Sequence, residues 1–171
     1  VVATVTQSSD LDLLESGGDL EGVDVLELRL DNLFPILDRV EKVARAQTLP
    51  LLITARTPLE GGIGELSGSD RIACLKRFLP VATLMDVEIR HLREEACEAL
   101  VADAHSRDVI VVGSFHDFAA CPSVETLCSQ VSAALSGGAD IPKIAVRVES
   151  VPTLMELTML IEEVKSPLSL M

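Results

Sequence analysis

Short apolar runs alternate along the chain with stretches in which apolar residues return every three or four positions, the two periods of strand and helix. Residues 1–6, 23–30, 50–56, 84–90, 109–114 and 141–148 read as strands, and 167–171 as the beginning of a seventh. The fifth run opens on Val109-Ile110-Val111-Val112, as suits a strand buried on both faces. Between the strands lie helices. A weak one over 11–14 is stopped by Gly17-Gly18. Leu33, Ile36, Leu37, Val40 and Val43 share one face of a helix over 32–47, with Asn32 as its cap. Residues 57–69, with Gly61-Gly62 and Gly68, read as a long loop, after which Ser69 or Asp70 caps a helix carrying Ile72, Leu75, Phe78 and Leu79 that ends before Pro80. An alanine-rich helix covers 93–106. Pro122 and Ser123 open the next, with Val124, Leu127, Cys128, Val131 and Leu135 on one face and Gly137-Gly138 at its close. Pro152 starts the last, with Leu154, Leu157, Leu160, Ile161 and Val164 inward.

This alternation requires a mainly parallel sheet with right-handed crossovers, either doubly wound and open or curled into a barrel. The polar positions decide between them. Glu27, Arg29 and Asp31 share a strand face, as do Thr54 and Arg56, then Asp86, Glu88 and Arg90, then Ser114 and His116, then Lys143 and Arg147. Apolar helices cover both faces of an open sheet, which would bury these charges unpaired, whereas a barrel lets them converge on one interior and its C-terminal mouth. No glycine-rich GxGxxG turn follows the first strand. The expected fold is therefore an α/β (β/α)8 TIM barrel of parallel strands. Such a barrel needs eight strands and about 250 residues. Residues 1–171 are thus expected to form a single barrel domain, incomplete at its C-terminus, with no linker or repeat dividing it.

Composition removes several functions. A net charge of -13 and a pI near 4.5 argue against nucleic acid and anionic membrane surfaces, which need basic patches. Four Phe and no Trp or Tyr leave no platform for stacking bases. The apolar runs are too short to span a bilayer, and no signal peptide is visible. Cys74, Cys97, Cys121 and Cys128 show neither CxxC pairing nor zinc spacing, so they read as reduced core cysteines of a cytoplasmic protein that binds no metal through them.

Candidate chemistry centres on Lys143, an amine inside an apolar strand. Such a lysine is either the partner of a buried carboxylate or a nucleophile toward a carbonyl. His116 ends the preceding strand, about 4.8 Å away in the sheet, within reach of the same substrate as a general base and acid. Arg56 closes the third strand and Glu60 follows it on a glycine loop, a pair suited to orienting a polar substrate or a histidine. Arg29, Arg56 and Arg147 would give the cluster net positive charge and hold an anion, while Glu27-x-Arg29-x-Asp31 also fits a buried salt-bridge layer. His91 and His105 receive no role.

The segments ELRLD (27–31), TARTPLEGG (54–62), SFHDFAACP (114–122) and PKIAV (142–146), in this order and spacing, resemble the type I 3-dehydroquinate dehydratases of the shikimate pathway. The resemblance spans nearly the whole chain. It implies a (β/α)8 barrel, a homodimer with no metal or organic cofactor, and a lyase that dehydrates 3-dehydroquinate to 3-dehydroshikimate through a lysine imine. By motif, Lys143 resembles the imine-forming lysine, His116 the base beside it and Glu60 the carboxylate that orients the histidine. Glu27, Arg29 and Arg56 resemble substrate-binding positions. Arg147, on the lysine's expected face, departs from the family pattern, and the family's remaining substrate-binding residues are expected beyond Met171. Two other functions fit the residues: a different lysine-imine barrel enzyme of aldolase type, and a non-catalytic degenerate barrel.

Overall fold

The computed structural model describes residues 1–64 and 66–171; position 65 of the loop predicted over 57–69 lies outside the described residues. The apolar runs become strands β1 (Val2–Val5), β2 (Val25–Arg29), β3 (Leu51–Thr54), β4 (Leu84–Glu88), β5 (Ile110–Asp117), β6 (Ile141–Val146) and β7 (Ser169–Leu170). The periodic stretches become α1 (Ser8–Glu15), α2 (Leu37–Ala46), α3 (Gly68–Phe78), α4 (Glu95–Ser106), α5 (Val124–Ser136) and α6 (Val151–Glu163). Every strand pairs in parallel with the next, so the sheet runs β1 to β7 in chain order. That winding in one direction is the wall of an α/β barrel; a doubly wound sheet would reverse its order at a switch point.

Alternation along each strand separates two environments. Met85 and Val87 of β4, Leu26 and Leu28 of β2 and Val111 of β5 belong to an apolar core shared with Leu11, Val40, Leu75, Phe78, Leu100, Leu127 and Leu160 of the helices. The alternate positions carry Glu27, Thr54, Asp86, Glu88 and Ser114, all but Glu27 buried. The helices pack on the apolar face of the sheet, so these polar residues stand on the inner face of the barrel wall, where they stay buried only by pairing with one another.

Several local expectations are corrected. Asn32 does not cap α2: Pro35 lacks an N–H and crowds the residue before it, so Phe34–Ile36 tightens into a 3-10 turn and the α-helix begins at Leu37. The cap of α3 is Ser67 rather than Ser69 or Asp70; its Oγ accepts the Asp70 N–H and the Asp70 carboxylate returns to the Ser67 N–H, a capping box. On α6 only Leu157 and Leu160 are buried, whereas Leu154 and Ile161 face outward with Val151, Met155 and Met159. Strand β6 ends at Val146, two residues short of the expected span, while β5 continues past Ser114 to Asp117 and so takes His116 into the sheet. All four cysteines are free thiols, but only Cys74 and Cys97 are core; Cys121 and Cys128 are half-buried. Among the described residues no helix is long and apolar enough to cross a membrane.

Candidate active site

The register of β5 and β6 sets the site. Ser114 lies opposite Lys143 and His116 opposite Ala145, so the Lys143 and His116 side chains leave neighbouring strands on the same face, two residues apart. From strand spacing and rise their Cα atoms are about 8 Å apart, which leaves room for a substrate carbon between the two side chains.

Lys143 Nζ sits 3.6 Å from Asp86 Oδ2, with a side chain 16% exposed. Asp86 is buried. Its Oδ1 accepts a 2.5 Å hydrogen bond from Ser114 Oγ, and Oδ2 lies 2.9 Å from Arg56 Nη2. Burial pushes the Asp86 carboxyl up, but the Arg56 and Lys143 charges with the Ser114 hydroxyl outweigh it and hold it below the usual carboxylate range. Arg56 is gripped from three sides, since its Nη1 also donates to Ser114 Oγ at 2.6 Å and to Glu88 Oε1 at 3.3 Å. Burial opposes its charge, yet Asp86 and Glu88 prevail and the guanidinium is held still more firmly protonated. Glu88 in turn accepts the Thr57 N–H and a bond from Arg71.

His116 is clamped by Glu60, which is 2% exposed. One Glu60 oxygen, Oε2, stands 3.0 Å from His116 Nδ1 and also accepts the His116 backbone N–H at 3.1 Å; Oε1 meets Arg90 Nε at 3.0 Å. A carboxylate that accepts from its other neighbours assigns the Nδ1 proton to this bond, leaving the Nε2 lone pair for chemistry. The loop carrying Glu60 needs both of its glycines. Gly61 adopts φ +84, and a Cβ there would meet the Phe118 ring; a Cβ on Gly62 would lie 2.1 Å from the Arg56 carbonyl oxygen. Phe118, mostly exposed, stands 5.9 Å from the His116 ring.

On β2, Arg29 makes two bonds to Asp31, at 3.0 and 2.8 Å, and reaches Gly61 O at 3.3 Å. Asp31 also accepts the backbone N–H groups of Arg56 and Ile63, which ties β2 to the loop. Burial raises its pKa, but the Arg29 bond and these two N–H groups lower it further. Glu27 accepts from Thr54 Oγ1 at 2.8 Å and Thr4 Oγ1 at 3.1 Å.

The face predicted from alternation thus carries Glu27, Arg29, Arg56, His116 and Lys143, and Glu60 joins His116 from the loop. Two expectations fail. Arg147 lies past the end of β6, mostly exposed and paired with Glu149 at 2.8 Å, and takes no part. The cluster is not a surplus of cations either, because Arg29, Arg56, Arg71 and Arg90 each meet a carboxylate. Sequence reasoning missed the roles of Asp86, Glu88, Ser114, Arg71 and Arg90. The signal was present for Asp86 and Glu88: two carboxylates in a strand between apolar neighbours require buried cations.

The family model described as type I 3-dehydroquinase matches residues 1–171. The chain belongs to the type I 3-dehydroquinase family. Among the 3-dehydroquinase relatives, the 3-dehydroquinate dehydratase of Klebsiella pneumoniae (strain 342) is 36% identical over 154 residues, covering 83% of this chain and 61% of the relative. That of Bacillus licheniformis is 33% identical over 144 residues, covering 78% and 56%. The chain therefore spans about three fifths of the length of the curated relatives it matches. The crystal structure of the type I 3-dehydroquinate dehydratase from Clostridium difficile with covalently modified comenic acid superposes with a TM-score of 0.86 at 23% identity, covering 99% of this chain and 72% of that one. The deoxyribose phosphate aldolase of Aeropyrum pernix superposes less well, with a TM-score of 0.60 at 17% identity over 98% of this chain and 72% of that one, a likeness of fold alone.

Proposed function

We propose that the protein is a hydro-lyase that converts 3-dehydroquinate to 3-dehydroshikimate through an imine on Lys143. The observation that carries this is the pairing of an amine on β6 with a histidine on β5 whose Nδ1 is held by a buried carboxylate. Family membership and relatives bearing the name 3-dehydroquinate dehydratase support the substrate.

Lys143 Nζ adds to the substrate ketone and water leaves, giving a C=N bond whose protonated nitrogen draws electrons from the adjacent carbon. His116 Nε2 takes the proton from that carbon, and the C–H electron pair moves toward the nitrogen. The hydroxyl one carbon further then departs as water with the proton His116 returns, and hydrolysis of the imine frees product and lysine. Glu60 keeps the histidine turned and offsets the imidazolium charge. Arg29, 20% exposed against 4% for Arg56, is open enough to serve with Glu27 in holding substrate hydroxyl and carboxylate groups. Arg56, fully engaged, acts as a fixed positive wall. No step calls for a metal or organic cofactor. The reading also takes residues 1–171 as belonging to a single barrel domain, of a cytoplasmic homodimer that binds this small molecule and neither nucleic acid nor membrane; sedimentation of the protein tests the dimer.

The deciding experiment incubates the protein with 3-dehydroquinate and borohydride and weighs the peptides. A reduced adduct on Lys143 is expected, and its absence from folded protein would refute the imine. Adduct formation with small hydroxy-ketones but not with 3-dehydroquinate would instead favour an aldolase. The variant His116→Ala should still form the adduct while losing roughly 10²–10⁴-fold in turnover; undiminished turnover would remove His116 from the mechanism.

A further inference from the structure

The corner beneath Lys143 holds a carboxylate that the proposed reaction has not yet used. Asp86 is buried, its Oδ1 is satisfied by Ser114, and Oδ2 faces the Arg56 and Lys143 nitrogens at 2.9 and 3.6 Å without receiving a directed hydrogen bond from either. Among the described residues it is the only buried carboxylate oxygen left in this state. A buried anion is normally wrapped in donors, whereas this oxygen meets two cations through charge alone, so it can hold a positive charge on Nζ through a change of geometry there.

We propose that Asp86 is the counter-ion of the Lys143 imine, holding the imine nitrogen in its protonated, electron-accepting form. The inference rests on the imine reading. The nitrogen that becomes C=N–H⁺ is the same Nζ, so the positive charge stays beside Oδ2 from ammonium to imine and disappears only when the C–H electron pair reaches the nitrogen. Asp86 neither gives nor takes a proton in this scheme: Arg56 from the end of β3 and Lys143 from β6 keep it an anion, while Ser114 fixes its plane. The other charged or titratable groups around this corner are each tied elsewhere, Glu88 to Arg56 and Arg71, and His116 to Glu60. Asp86 thus acts on the reaction through Lys143, as a positioning residue and a fixed charge.

A purely structural Asp86 would serve only to neutralise Arg56, and the two roles separate chemically. Cyanoborohydride reduces protonated imines and leaves neutral ones, whereas borohydride traps both. The ratio of the two trapping rates on Lys143 with 3-dehydroquinate, read by peptide mass between about pH 6 and 9, reports the protonated share. In the wild-type protein this ratio should stay level. In Asp86→Asn, which preserves the volume and the acceptor for Ser114 while Glu88 retains Arg56, it should fall about tenfold or more toward alkaline pH, the effect of losing an opposite charge within about 4 Å. Turnover should fall with it and KM change little. An unchanged ratio and pH profile in folded Asp86→Asn overturns the proposal. Should that variant not fold, the wild type decides: a ratio that declines with pH in step with the butylamine imine of the same ketone is equally fatal. No borohydride adduct in the wild type would remove the imine reading itself, an outcome distinct from failure of the Asp86 assignment.

Discussion

Among the described residues His116 has one ring nitrogen committed and one without a partner, and a single carboxylate makes the difference. Glu60 Oε2 accepts both the ring Nδ1–H and the backbone N–H of His116, and Arg90 anchors the opposite oxygen. Replacing Glu60 with Gln keeps the shape but removes the negative charge that, in the proposed mechanism, offsets the imidazolium. The expected result is a loss of about 10–100-fold in kcat with the borohydride adduct on Lys143 still forming. A kcat equal to that of the wild type would mean that the histidine needs no such partner. The residue scale is also where the sequence was least explicit. Glu60 lies 56 positions from His116 and Asp86 lies 57 from Lys143, and no local pattern joins residues so far apart.

At the scale of elements, the loop between β3 and α3 holds the site together more than its glycine-rich composition suggests. Gly62 packs with its α-carbon against the Arg56 carbonyl, where a Cβ would be 2.1 Å from the oxygen. That contact is with backbone, so Gly62→Ala cannot be absorbed by a rotamer change and must push the loop outward, carrying Glu60 from His116. Turnover should fall by about tenfold or more, a loss far larger than the accompanying drop in thermal midpoint implies; an active, unshifted variant would contradict this geometry. The end of β6 sets the opposite case. Because the strand stops at Val146, Arg147 pairs with Glu149 in solvent, and such exposed pairs contribute about 0–1 kcal/mol. Arg147→Ala should leave kcat, KM and the thermal midpoint nearly unchanged, in contrast to the binding role its position in the sequence suggested.

For the whole molecule, two electrostatic effects compete as pH falls. With 27 acidic against 14 basic side chains, protonating exposed carboxylates relieves self-repulsion and favours the folded state. Asp31 and Asp86 work the other way. Their folded pKa values are depressed below those of the unfolded chain, so the stability they supply is complete above about pH 4 and is lost as pH falls through the depressed values. Urea midpoints measured at about pH 5 and pH 2.5 should therefore drop more in the wild type than in Asp31→Asn, which has no such carboxylate to protonate. Equal drops would show that Asp31 contributes nothing to acid sensitivity.

The sequence by itself determined the periods, and with them the order of strands and helices and the face on which Glu27, Arg29, Arg56, Asp86, Ser114, His116 and Lys143 stand, because burial in a parallel sheet enforces that alternation locally. It determined the family as well, through segments whose spacing is written in the chain. Ends of elements escaped it where one residue's geometry outweighs a pattern, as Pro35 does at the start of α2 and Ser67 at the cap of α3. Only the tertiary structure decided which charge meets which. The register placed Asp86 under Lys143 and spent Arg56 on buried carboxylates, and the short β6 sent Arg147 into solvent. The strength of a charge pair varies steeply with distance and burial, and both are fixed only when strands far apart in sequence lie side by side.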